Sequence, residues 1–434
     1  MGPDLPLKIL VVVPYVPSRI RTRPFHLIKT LAAQGHRITL ATVWSHPQDL
    51  CEIEEMKEGL HELLSERVRP GRSIWNCVRA IPGFRPMQAS YSWSPRLARR
   101  TAQLLETTDF DVVHVEHLRG VRYGLALMQA LRKRGRRRPA MVWDSVDCIS
   151  TLFRKAARSS CTLRSRLAAR IELPRTEKYE GWLAAQFDRV LATSEIDRRE
   201  LMNLAGSLAP HTAAAGTSTL AERLVVVPNG VDLQYFSPPS EARTPLTLVI
   251  SGKMSYHANV AAVVYFAREV MPTIWGTHPG TQLWVVGKDP PAEVKRLGVP
   301  WNQDRPTAAL GGGDSRIRIT GTVADIRPFL RRASVAVAPI QYGAGIQNKV
   351  LEALACGTPV VATPEAVSGL RVRWGEDLMV AKNGRDFASS VSQVLADAQQ
   401  GARLGRAGRR FVEREHDWFS ITERLARTYR DATS

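Results

Sequence analysis

Residues 334–363 read SVAVAPIQYGAGIQNKVLEALACGTPVVAT and contain the clearest indication of the fold class. A run of small and β-branched apolar residues ends at Pro339, a glycine-containing turn follows, and a helix is predicted to open near Ile346. A second apolar run begins after Gly357-Thr358-Pro359. Short apolar runs joined by a helix are typical of parallel strands that helices cover on both faces.

The same alternation of apolar runs and helical stretches recurs along the chain. Candidate strands in the first half are residues 9–13, 38–42, 112–115, 141–144, 190–192 and 224–227. A second series consists of residues 246–250, 282–286, 316–319, 335–338 and 360–362. Two such series predict an α/β protein with two doubly wound, Rossmann-like domains.

A proline-rich segment separates the two series. Residues 237–245, SPPSEARTP, are interpreted as the interdomain linker. We therefore predict an N-terminal domain over residues 1–236 and a C-terminal domain over residues 237–416. Residues 417–434 space their apolar side chains as a helix does, and we expect this helix to pack back on the N-terminal domain.

The composition is that of a globular protein of 434 residues, with 44% hydrophobic and 23% charged residues. The sequence contains no run of about 18 apolar residues, so it predicts no membrane span. The five cysteines are widely scattered and form no C-x-x-C pair. A zinc site or a disulfide framework is therefore not expected, and a reducing cytoplasm fits best.

The net charge of +19 is unevenly distributed, because residues 119–178 contain sixteen Lys/Arg against four Asp/Glu. Such a basic region attracts phosphate groups, in nucleic acid or in an anionic bilayer. It is equally compatible with a solvated basic surface that binds nothing. Aromatic residues are sparse in it, which argues against a base-stacking groove for nucleic acid.

The turn and helix that follow Pro339 have the composition of a diphosphate site. Gly343 and Gly345 let backbone N–H groups approach a phosphate, and a helix N-terminus favours negative charge. Lys349 adds a positive charge in the first turn of the helix. Glu352, one turn further along, is placed to accept hydrogen bonds from the two hydroxyls of a ribose. The structural alternative is a plain connecting turn with Glu352 on the surface.

These residues resemble the donor-site motif of glycosyltransferase family 4, in which a small-residue turn precedes L-E-A-x-A-x-G-x-P-V-V. Residues 351–361, LEALACGTPVV, match it in register. The resemblance implies a GT-B fold, in which two Rossmann-like domains face a central cleft. It also implies glycosyl transfer from a nucleoside diphosphate sugar, with retention at the anomeric carbon and with no required metal or other cofactor.

The resemblance extends to other donor-binding residues. Gly252 and Lys253 follow the first strand of the second domain, where the family usually has Gly-Arg, and Lys253 would neutralise the leaving diphosphate. Gly321 and Val323 match the loop whose backbone reads the base. The predicted donor-binding residues are Gly252, Lys253, Gly321, Val323, Gly343, Gly345, Ile346, Gln347, Asn348, Lys349 and Glu352.

In the first domain the resemblance points to a strand end beside the reacting sugar. Residues 111–117, DVVHVEH, resemble the family's D-V-V-H-x-H motif, with Glu116 in the second histidine position and His117 next along. Neighbours on a strand point oppositely, so the spacing leaves open which of the two faces the cleft. Asp144 ends another strand and would bind a hydroxyl, although it would serve equally well as a helix cap. The candidate catalytic residues are therefore Glu116, His117, Asp144 and Lys253.

The chain departs from the family pattern at three places. Arg19, Arg21 and Arg23 stand in the loop where the family often has a Gly-Gly pair. They are predicted to bind donor phosphate or an acidic acceptor, or else to form a solvated basic loop. Ala344 replaces the first of the family's paired glutamates, which leaves the donor sugar unidentified. Asn259 occupies the position of a second cation.

By this resemblance the chain is similar to bacterial transferases that build exopolysaccharide or cell-envelope glycans. We expect a hexosyltransferase of the cytoplasm or of the inner face of the plasma membrane, with a glycan or lipid-linked acceptor and no nucleic acid. Two alternatives stay open. One is a nucleotide-sugar epimerase on the same scaffold, and the other is a non-catalytic binding protein that uses the basic face.

Overall fold

The computed structural model describes residues 5–132, 138–159, 163–207, 219–301, 313–342 and 345–433. The chain divides into two compact units, of which unit 1 is Met1–Pro228 with Trp418–Ser434 and unit 2 is Asn229–Asp417. The sequence placed the first boundary at residue 236. The structure moves it to residue 228, because Val231 pairs with Asp417 and the His416 ring is hydrogen-bonded to the Asn229 carbonyl group within unit 2.

Unit 1 is built on a sheet of seven parallel strands. In chain order these are β1 (Lys8–Val13), β2 (Arg37–Trp44), β3 (Glu62–Arg67), β4 (Val112–Glu116), β5 (Ala140–Val146), β6 (Arg189–Ala192) and β7 (Leu224–Val226). Across the sheet their order is β3-β2-β1-β4-β5-β6-β7. The order reverses direction between β1 and β4, and open α/β sheets bind ligands at the carboxyl ends of the strands at such a point.

Helices cover both faces of this sheet. They are α1 (Thr22–Ala33), α2 (Asp49–Lys57), α3 (Pro70–Ala80), α4 (Met87–Tyr91), α5 (Pro95–Thr107), α6 (His117–Leu131), α7 (Ile149–Ser159), α8 (Leu163–Gln186), α9 (Glu195–Gly206) and α10 (Leu220–Arg223). Alternate residues of β1 enter two different cores, with Leu10 and Val12 in one and Ile9 and Val11 in the other. A strand that is buried on both faces must be apolar along its buried length, which is why ILVVV follows the exposed Lys8 in β1.

Unit 2 repeats the plan with seven parallel strands. They are β8 (Thr244–Ser251), β9 (Gln282–Val286), β10 (Gly298–Pro300), β11 (Asp314–Gly321), β12 (Ala333–Ala338), β13 (Val360–Ala362) and β14 (Met379–Val380). Their order across the sheet is β10-β11-β9-β8-β12-β13-β14. The reversal here falls between β8 and β12, so the loops after these two strands are the expected ligand position.

The helices of unit 2 follow the same alternation. They are α11 (His257–Tyr265), a π-helical turn (Phe266–Val270), α12 (Met271–Thr277), α13 (Ala292–Lys295), α14 (Arg327–Arg332), α15 (Asn348–Ala355), α16 (Pro364–Val367), α17 (Gly384–Ala396) and α18 (Ala398–Glu415). The last helix, α19 (Trp418–Thr433), belongs to unit 1. There it buries Trp418, Ile421, Leu425 and Tyr429 in the same core as Ile9.

Two parallel sheets with alternating helices confirm the predicted α/β fold class with two Rossmann-like domains. Each of the eleven predicted strands is present, and the structure adds β3, β10 and β14. Among the described residues, no helix combines the length and the apolar composition needed to cross a bilayer.

Candidate functional site

The carboxyl ends of β1 and β4 carry the polar residues of the unit 1 site. Tyr15 lies just after β1, Glu116 is the last residue of β4, and His117 is the first residue of α6. β1 and β4 are paired neighbours at the reversal of the strand order. These side chains therefore meet where open α/β sheets bind their ligands.

Glu116 is a buried carboxyl group with only one of its oxygens bonded. Its Oε1 accepts a 2.7 Å hydrogen bond from the Tyr15 hydroxyl, whereas its buried Oε2 has no hydrogen-bond partner among the described residues. Burial, together with Asp144 opposite it on β5, raises the pKa of Glu116 to about 8. The group is therefore a neutral acid at pH 7.

Arg23 and Asp144 form a buried ion pair. Nε of Arg23 donates to Oδ2 of Asp144 at 2.8 Å, and both side chains are almost fully buried. Nη1 of Arg23 donates to the carbonyl oxygens of Val227 and Pro228 at 2.9 and 3.2 Å. The prediction that Arg23 binds a phosphate or an acceptor is therefore corrected, because this guanidinium group is engaged inside unit 1 and not in an exposed loop.

Asp144 is held by two further groups. Its Oδ1 accepts a 3.1 Å hydrogen bond from the backbone N–H of Val146, and Nε2 of His114 lies 3.7 Å from its Oδ2. The other ring nitrogen of His114 is hydrogen-bonded to the Tyr429 hydroxyl at 2.7 Å. Burial lowers the pKa of His114 to about 4, so this ring is neutral at pH 7. The predicted catalytic role of Asp144 is accordingly revised to a positioning role, since this carboxylate has no exposed surface.

His117 lies on the other side of Tyr15. Its backbone φ is +60°, a value that few residues other than glycine adopt. Its ring meets the Tyr15 ring edge-on at a centroid distance of 6.3 Å, and its Nδ1 accepts a 3.1 Å hydrogen bond from the backbone N–H of Arg119. Burial lowers the pKa of His117 to about 3. Glu116 and His117 thus both contact Tyr15, a residue that the sequence motifs did not single out.

The other two arginines of the loop have different surroundings. Arg19 forms an exposed ion pair with Glu55 at 3.0 Å. Nη1 of Arg21 donates to the carbonyl oxygen of Val16 at 3.0 Å, and its guanidinium group lies 5.1 Å from the centre of the Tyr15 ring. Of the three predicted loop arginines, Arg21 is the one that is exposed beside Tyr15.

At the unit 2 site the backbone at the end of β8 lies close to the side chains of Asn259 and Lys349 and to the backbone of Gly287. Gly252 has a φ of +144°, and a Cβ there would lie 2.9 Å from Nδ2 of Asn259 and 3.2 Å from Nζ of Lys349. Gly287, just after β9, is tighter still, because a Cβ there would lie 1.8 Å from the Gly252 carbonyl oxygen. Gly287 leaves no room for a side chain, and the φ of Gly252 is one that residues other than glycine rarely adopt.

The Asn259 side chain is hydrogen-bonded to both predicted donor-binding lysines, to the amine of Lys349 and to the backbone of Lys253. Its Oδ1 accepts a hydrogen bond from Nζ of Lys349, and its Nδ2 donates to the carbonyl oxygen of Lys253 at 2.8 Å. Burial lowers the pKa of Lys349 to about 8. The Lys253 side chain is exposed. The residue that replaces the family's second cation is therefore the one that holds Lys349 beside the β8 loop.

Glu352 lies one helical turn along α15 from Lys349. Burial raises its pKa to about 7, while the positive charge of Lys349 acts in the opposite direction. No described residue forms a hydrogen bond or a salt bridge with its carboxyl group. The first two turns of α15 thus present an amine and a carboxyl group that have few partners among the described residues.

The turn that leads into α15 ends close to its predicted position. The helix begins at Asn348, with Gln347 as its N-cap residue, two residues after the predicted start near Ile346. The side chain of Ile346 is buried in the core of unit 2, so only its backbone could contact the donor, as predicted for a helix N-terminus. Gly345 has a φ of +68° and makes the turn. Gly343 lies outside the described residues.

Gly321 and Val323 lie two strands away from this junction. Gly321 ends β11 with a φ of +68°, and Val323 packs half-buried against the core of unit 2. Neighbouring strands are about 4.8 Å apart, so these residues would reach a part of the ligand about 10 Å from the β8 loop. Within the described residues, no group of three His, Cys, Asp or Glu side chains is arranged to hold a metal ion.

Comparisons with protein families place both halves of the chain in known groups. Residues 22–235 match the family described as Glycosyltransferase Family 4. Residues 245–397 match the family described as Glycosyl transferases group 1. The first match covers most of unit 1 and the first seven residues of unit 2, and the second lies within unit 2.

Similar proteins cover nearly the whole chain. The glycogen synthase of Mycobacterium tuberculosis is 24% identical over 93% of this chain and 89% of its own length. The phosphatidyl-myo-inositol mannosyltransferase of Mycobacterium leprae is 23% identical over 98% of this chain and 96% of its own length. Anabaena HepE, solved in complex with UDP and glucose, has a TM-score of 0.66 at 14% identity and covers 98% of this chain. The chain therefore belongs to the family 4 glycosyltransferases and is a transferase of the GT-B fold.

Proposed function

We propose that this enzyme transfers a hexose from a nucleoside diphosphate sugar to a glycan or lipid-linked acceptor, with retention at the anomeric carbon and without a metal ion. The observation that carries the proposal is the position of Lys349, which Asn259 holds beside the β8 loop and one helical turn from Glu352. A UDP-sugar is the first donor to test, because HepE was solved with UDP and glucose.

Positive groups of unit 2 would stabilise the departing diphosphate. Lys349, Lys253 and the backbone N–H groups at the start of α15 lie at the end of β8 and β12. A desolvated cation interacts with a developing negative charge more strongly than an exposed cation does. These groups would supply the charge that a metal ion supplies in other phosphate sites, and this is the basis for proposing metal independence.

Glu352 would bind the ribose of the nucleotide. Its carboxyl oxygens have no hydrogen-bond donors among the described residues, and two hydroxyl groups would provide them. Hydrogen bonds from a diol favour the ionised form of a carboxyl group. Donor binding would therefore lower the pKa of Glu352 from its value of about 7.

The unit 1 residues would bind hydroxyl groups without removing their protons. Glu116, with a pKa of about 8, is mostly protonated at pH 7 and so serves mainly as a hydrogen-bond donor. His117, with a pKa of about 3, is too weak a base. The proton of the acceptor hydroxyl would then pass to the departing diphosphate oxygen. Because that oxygen leaves from one face of the sugar, attack assisted by it occurs on the same face and retains the configuration.

The proposal places the enzyme in the cytoplasm, at the inner face of the plasma membrane, in envelope or exopolysaccharide synthesis. The basic region of residues 119–178 and the relative named for phosphatidyl-myo-inositol support a lipid-linked acceptor. Co-sedimentation with vesicles tests this part. We expect binding to increase with the fraction of anionic lipid. Binding that does not depend on this fraction would contradict the assignment to the membrane surface.

The donor assignment is tested by a thermal-shift panel of nucleoside diphosphate sugars, followed by turnover assays in the presence of EDTA. We expect stabilisation by one nucleoside diphosphate, loss of this shift in Lys349→Met, and no loss in the exposed control Lys382→Met. Proton NMR of the product would establish its anomeric configuration. An epimerised donor without transfer would support an epimerase, and stabilisation by oligonucleotides alone would support a basic binding protein.

A further inference from the structure

Unit 1 contains a cavity of about 620 Å³ that includes none of the candidate catalytic residues. It is formed by α3 and the loop after it, together with α6 and α8. Four arginines line it: Arg72, Arg79, Arg85 and Arg122. Among the described residues, no carboxylate forms a salt bridge with any of the four. The cavity therefore concentrates positive charge that the protein does not neutralise.

Arg122 is affected by the other positive charges that line the cavity. Its guanidinium group lies 4.0 Å from the centre of the Trp93 ring. Burial lowers the pKa of Arg122 to about 10, and the positive charges of Arg85 and Arg79 contribute in the same direction. A bound anion would offset both effects, because it interacts favourably with each of the cations.

The loop beside the cavity is fixed by contacts from α8. Nη2 of Arg175 donates to three carbonyl oxygens at 2.6–2.8 Å, those of Ala80, Gly83 and Arg85. Glu172, which is buried, accepts hydrogen bonds from Nη1 of Arg175 at 2.9 Å and from the backbone N–H of Met87 at 2.7 Å. The backbone of residues 80–85, which follows Arg79 and carries Arg85, is therefore held in place by α8.

Aromatic side chains complete the lining, and one of them has an unused polar group. Phe84, Trp93, Tyr179 and Trp182 all line the cavity. Tyr179 is only 1% exposed, and its hydroxyl has no hydrogen-bond partner among the described residues. Buried hydroxyl groups are normally hydrogen-bonded, because leaving one unpaired costs about 1–3 kcal/mol. An oxygen atom of a ligand in the cavity would complete this bond.

An apolar surface adjoins the cavity. Five large apolar residues of α3 and the following loop are between 48% and 63% exposed: Ile74, Trp75, Val78, Ile81 and Phe84. Single exposed apolar residues are ordinary, but five within one short stretch next to several arginines are typical of surfaces that contact lipid chains. Phe84 belongs to both features, since it is half exposed and also lines the cavity.

We propose that this cavity binds the phosphate group of an anionic amphiphile whose apolar chain lies along the exposed face of α3 and the loop after it. The inference rests on the proposed function, because it assigns the phosphate of a lipid-linked acceptor to these arginines. Arg122 lies five residues after His117 on α6, which corresponds to about 8 Å along the helix axis. An acceptor anchored here would thus extend towards Glu116.

Isothermal titration of the full chain tests the proposal with three probes: decyl phosphate below its micellar concentration, decyl maltoside and inorganic phosphate. We expect decyl phosphate to bind at least about 10-fold more tightly than the other two. The double variant R79Q/R85Q should weaken this binding about 10- to 100-fold, as expected for hydrogen bonds between charged groups. Tyr179→Phe should weaken it about 5-fold while the melting temperature of the free protein does not fall.

The matched control is R37Q/R424Q, which removes two exposed arginines of the same unit and should change the affinity less than about 2-fold. Equal binding of decyl maltoside, equal binding of inorganic phosphate, or an unchanged affinity in R79Q/R85Q would each overturn the proposal. So would displacement of decyl phosphate by a single-stranded oligonucleotide at lower concentration. Titration with the panel of nucleoside diphosphates in the same preparation separates this inference from the proposed function. Binding of one nucleoside diphosphate without binding of decyl phosphate refutes only this inference, and binding of decyl phosphate without binding of any nucleoside diphosphate refutes the proposed donor.

Discussion

The charged groups at the two sites differ in how well they are paired: Asp144 of unit 1 has a cationic partner, whereas Lys349 and Glu352 of unit 2 have few partners. In unit 1 the Asp144 carboxylate is bonded to Arg23 and to a backbone N–H group, and His114 lies beside it. In unit 2 the Lys349 amine is bonded to the neutral Asn259 side chain, and no described residue bonds to Glu352. In the first arrangement the Asp144 carboxylate has its cation before any substrate binds, whereas the second lacks the charges and hydrogen bonds that a ligand would bring.

This difference accounts for the direction of the pKa shifts in unit 2. Burying an ion costs several kcal/mol unless partners compensate for it, so a poorly paired group shifts towards its neutral form. The pKa of Lys349 falls to about 8, and that of Glu352 rises to about 7. We infer that unit 1 provides a rigid framework, and that unit 2 uses the binding of a charged ligand to restore these two groups to their ionised forms.

The largest effect is expected from Arg23→Met, which leaves the Asp144 carboxylate buried without its cation. The free energy of unfolding of unit 1 should fall by about 3–5 kcal/mol, the usual consequence of breaking a buried pair from one side. Urea denaturation measures it. The double variant R23M/D144N should recover part of the loss, because it removes the unpaired charge as well. A loss below about 1 kcal/mol in R23M would contradict the framework role.

Lys349→Met should have the next largest effect, and on function instead of stability. Removing one charge-stabilising group typically lowers kcat by about 10²–10³-fold. The melting temperature should not fall, because the lost amine is a half-buried cation that no described carboxylate bonds to. Turnover of a nucleoside diphosphate sugar and a thermal melt report the two quantities, with Lys382→Met as the control. Destabilisation with normal turnover would show that Lys349 is a structural residue.

Glu116→Gln tests the neutral carboxyl group through its pH dependence. The pKa of Glu116 in the folded protein, about 8, lies above its ordinary value of 4.5. The folded state therefore keeps a proton that the unfolded chain releases, and this contribution to stability is present at low pH and declines as the pH rises from about 5 to about 8. The slope is at most about 1.4 kcal/mol per pH unit.

In E116Q this decline should disappear, so the variant should gain stability relative to the wild type as the pH rises. Urea midpoints at pH 5.5, 6.5 and 7.5 measure the difference. Glu62→Gln, at an exposed position of the same unit, should leave the wild-type profile unchanged. Parallel profiles for the wild type and E116Q would mean that Glu116 is ionised throughout this range.

The smallest effect is expected from Arg19→Gln, four residues from Arg23 in the sequence. Its ion pair with Glu55 is exposed, and such pairs contribute about 0–1 kcal/mol. We expect a change in the free energy of unfolding below about 0.5 kcal/mol and turnover within about 2-fold. A loss as large as that of R23M would erase the distinction between the exposed and the buried arginines of this loop.

The sheets could be predicted from the sequence because their central strands are apolar on both faces. The three missed strands, β3, β10 and β14, have weaker patterns. β3 reads ELLSER and lies at an edge of its sheet, and β10 and β14 are short edge strands. Edge strands are covered on fewer sides, so their composition resembles that of loops.

The unit 2 site was more predictable than the unit 1 site for a related reason. Gly252, Lys349 and Glu352 lie in local motifs whose chemistry is visible in short stretches of sequence. The unit 1 network joins Arg23 to Asp144 and His114 to Tyr429, contacts between residues that are 121 and 315 positions apart. No spacing rule connects such residues, and an arginine in a basic loop is ordinarily expected to be exposed.

The most direct test is whether the protein takes up a proton at Lys349 when a nucleotide binds to unit 2. At pH 8 about half of the Lys349 amines are neutral, and a bound diphosphate would raise their pKa. Titration of UDP in two buffers of different ionisation enthalpy should show uptake of about half a proton per UDP by the wild type and almost none by K349M. Equal proton uptake by both proteins, or UDP binding that K349M does not weaken, would contradict the assignment.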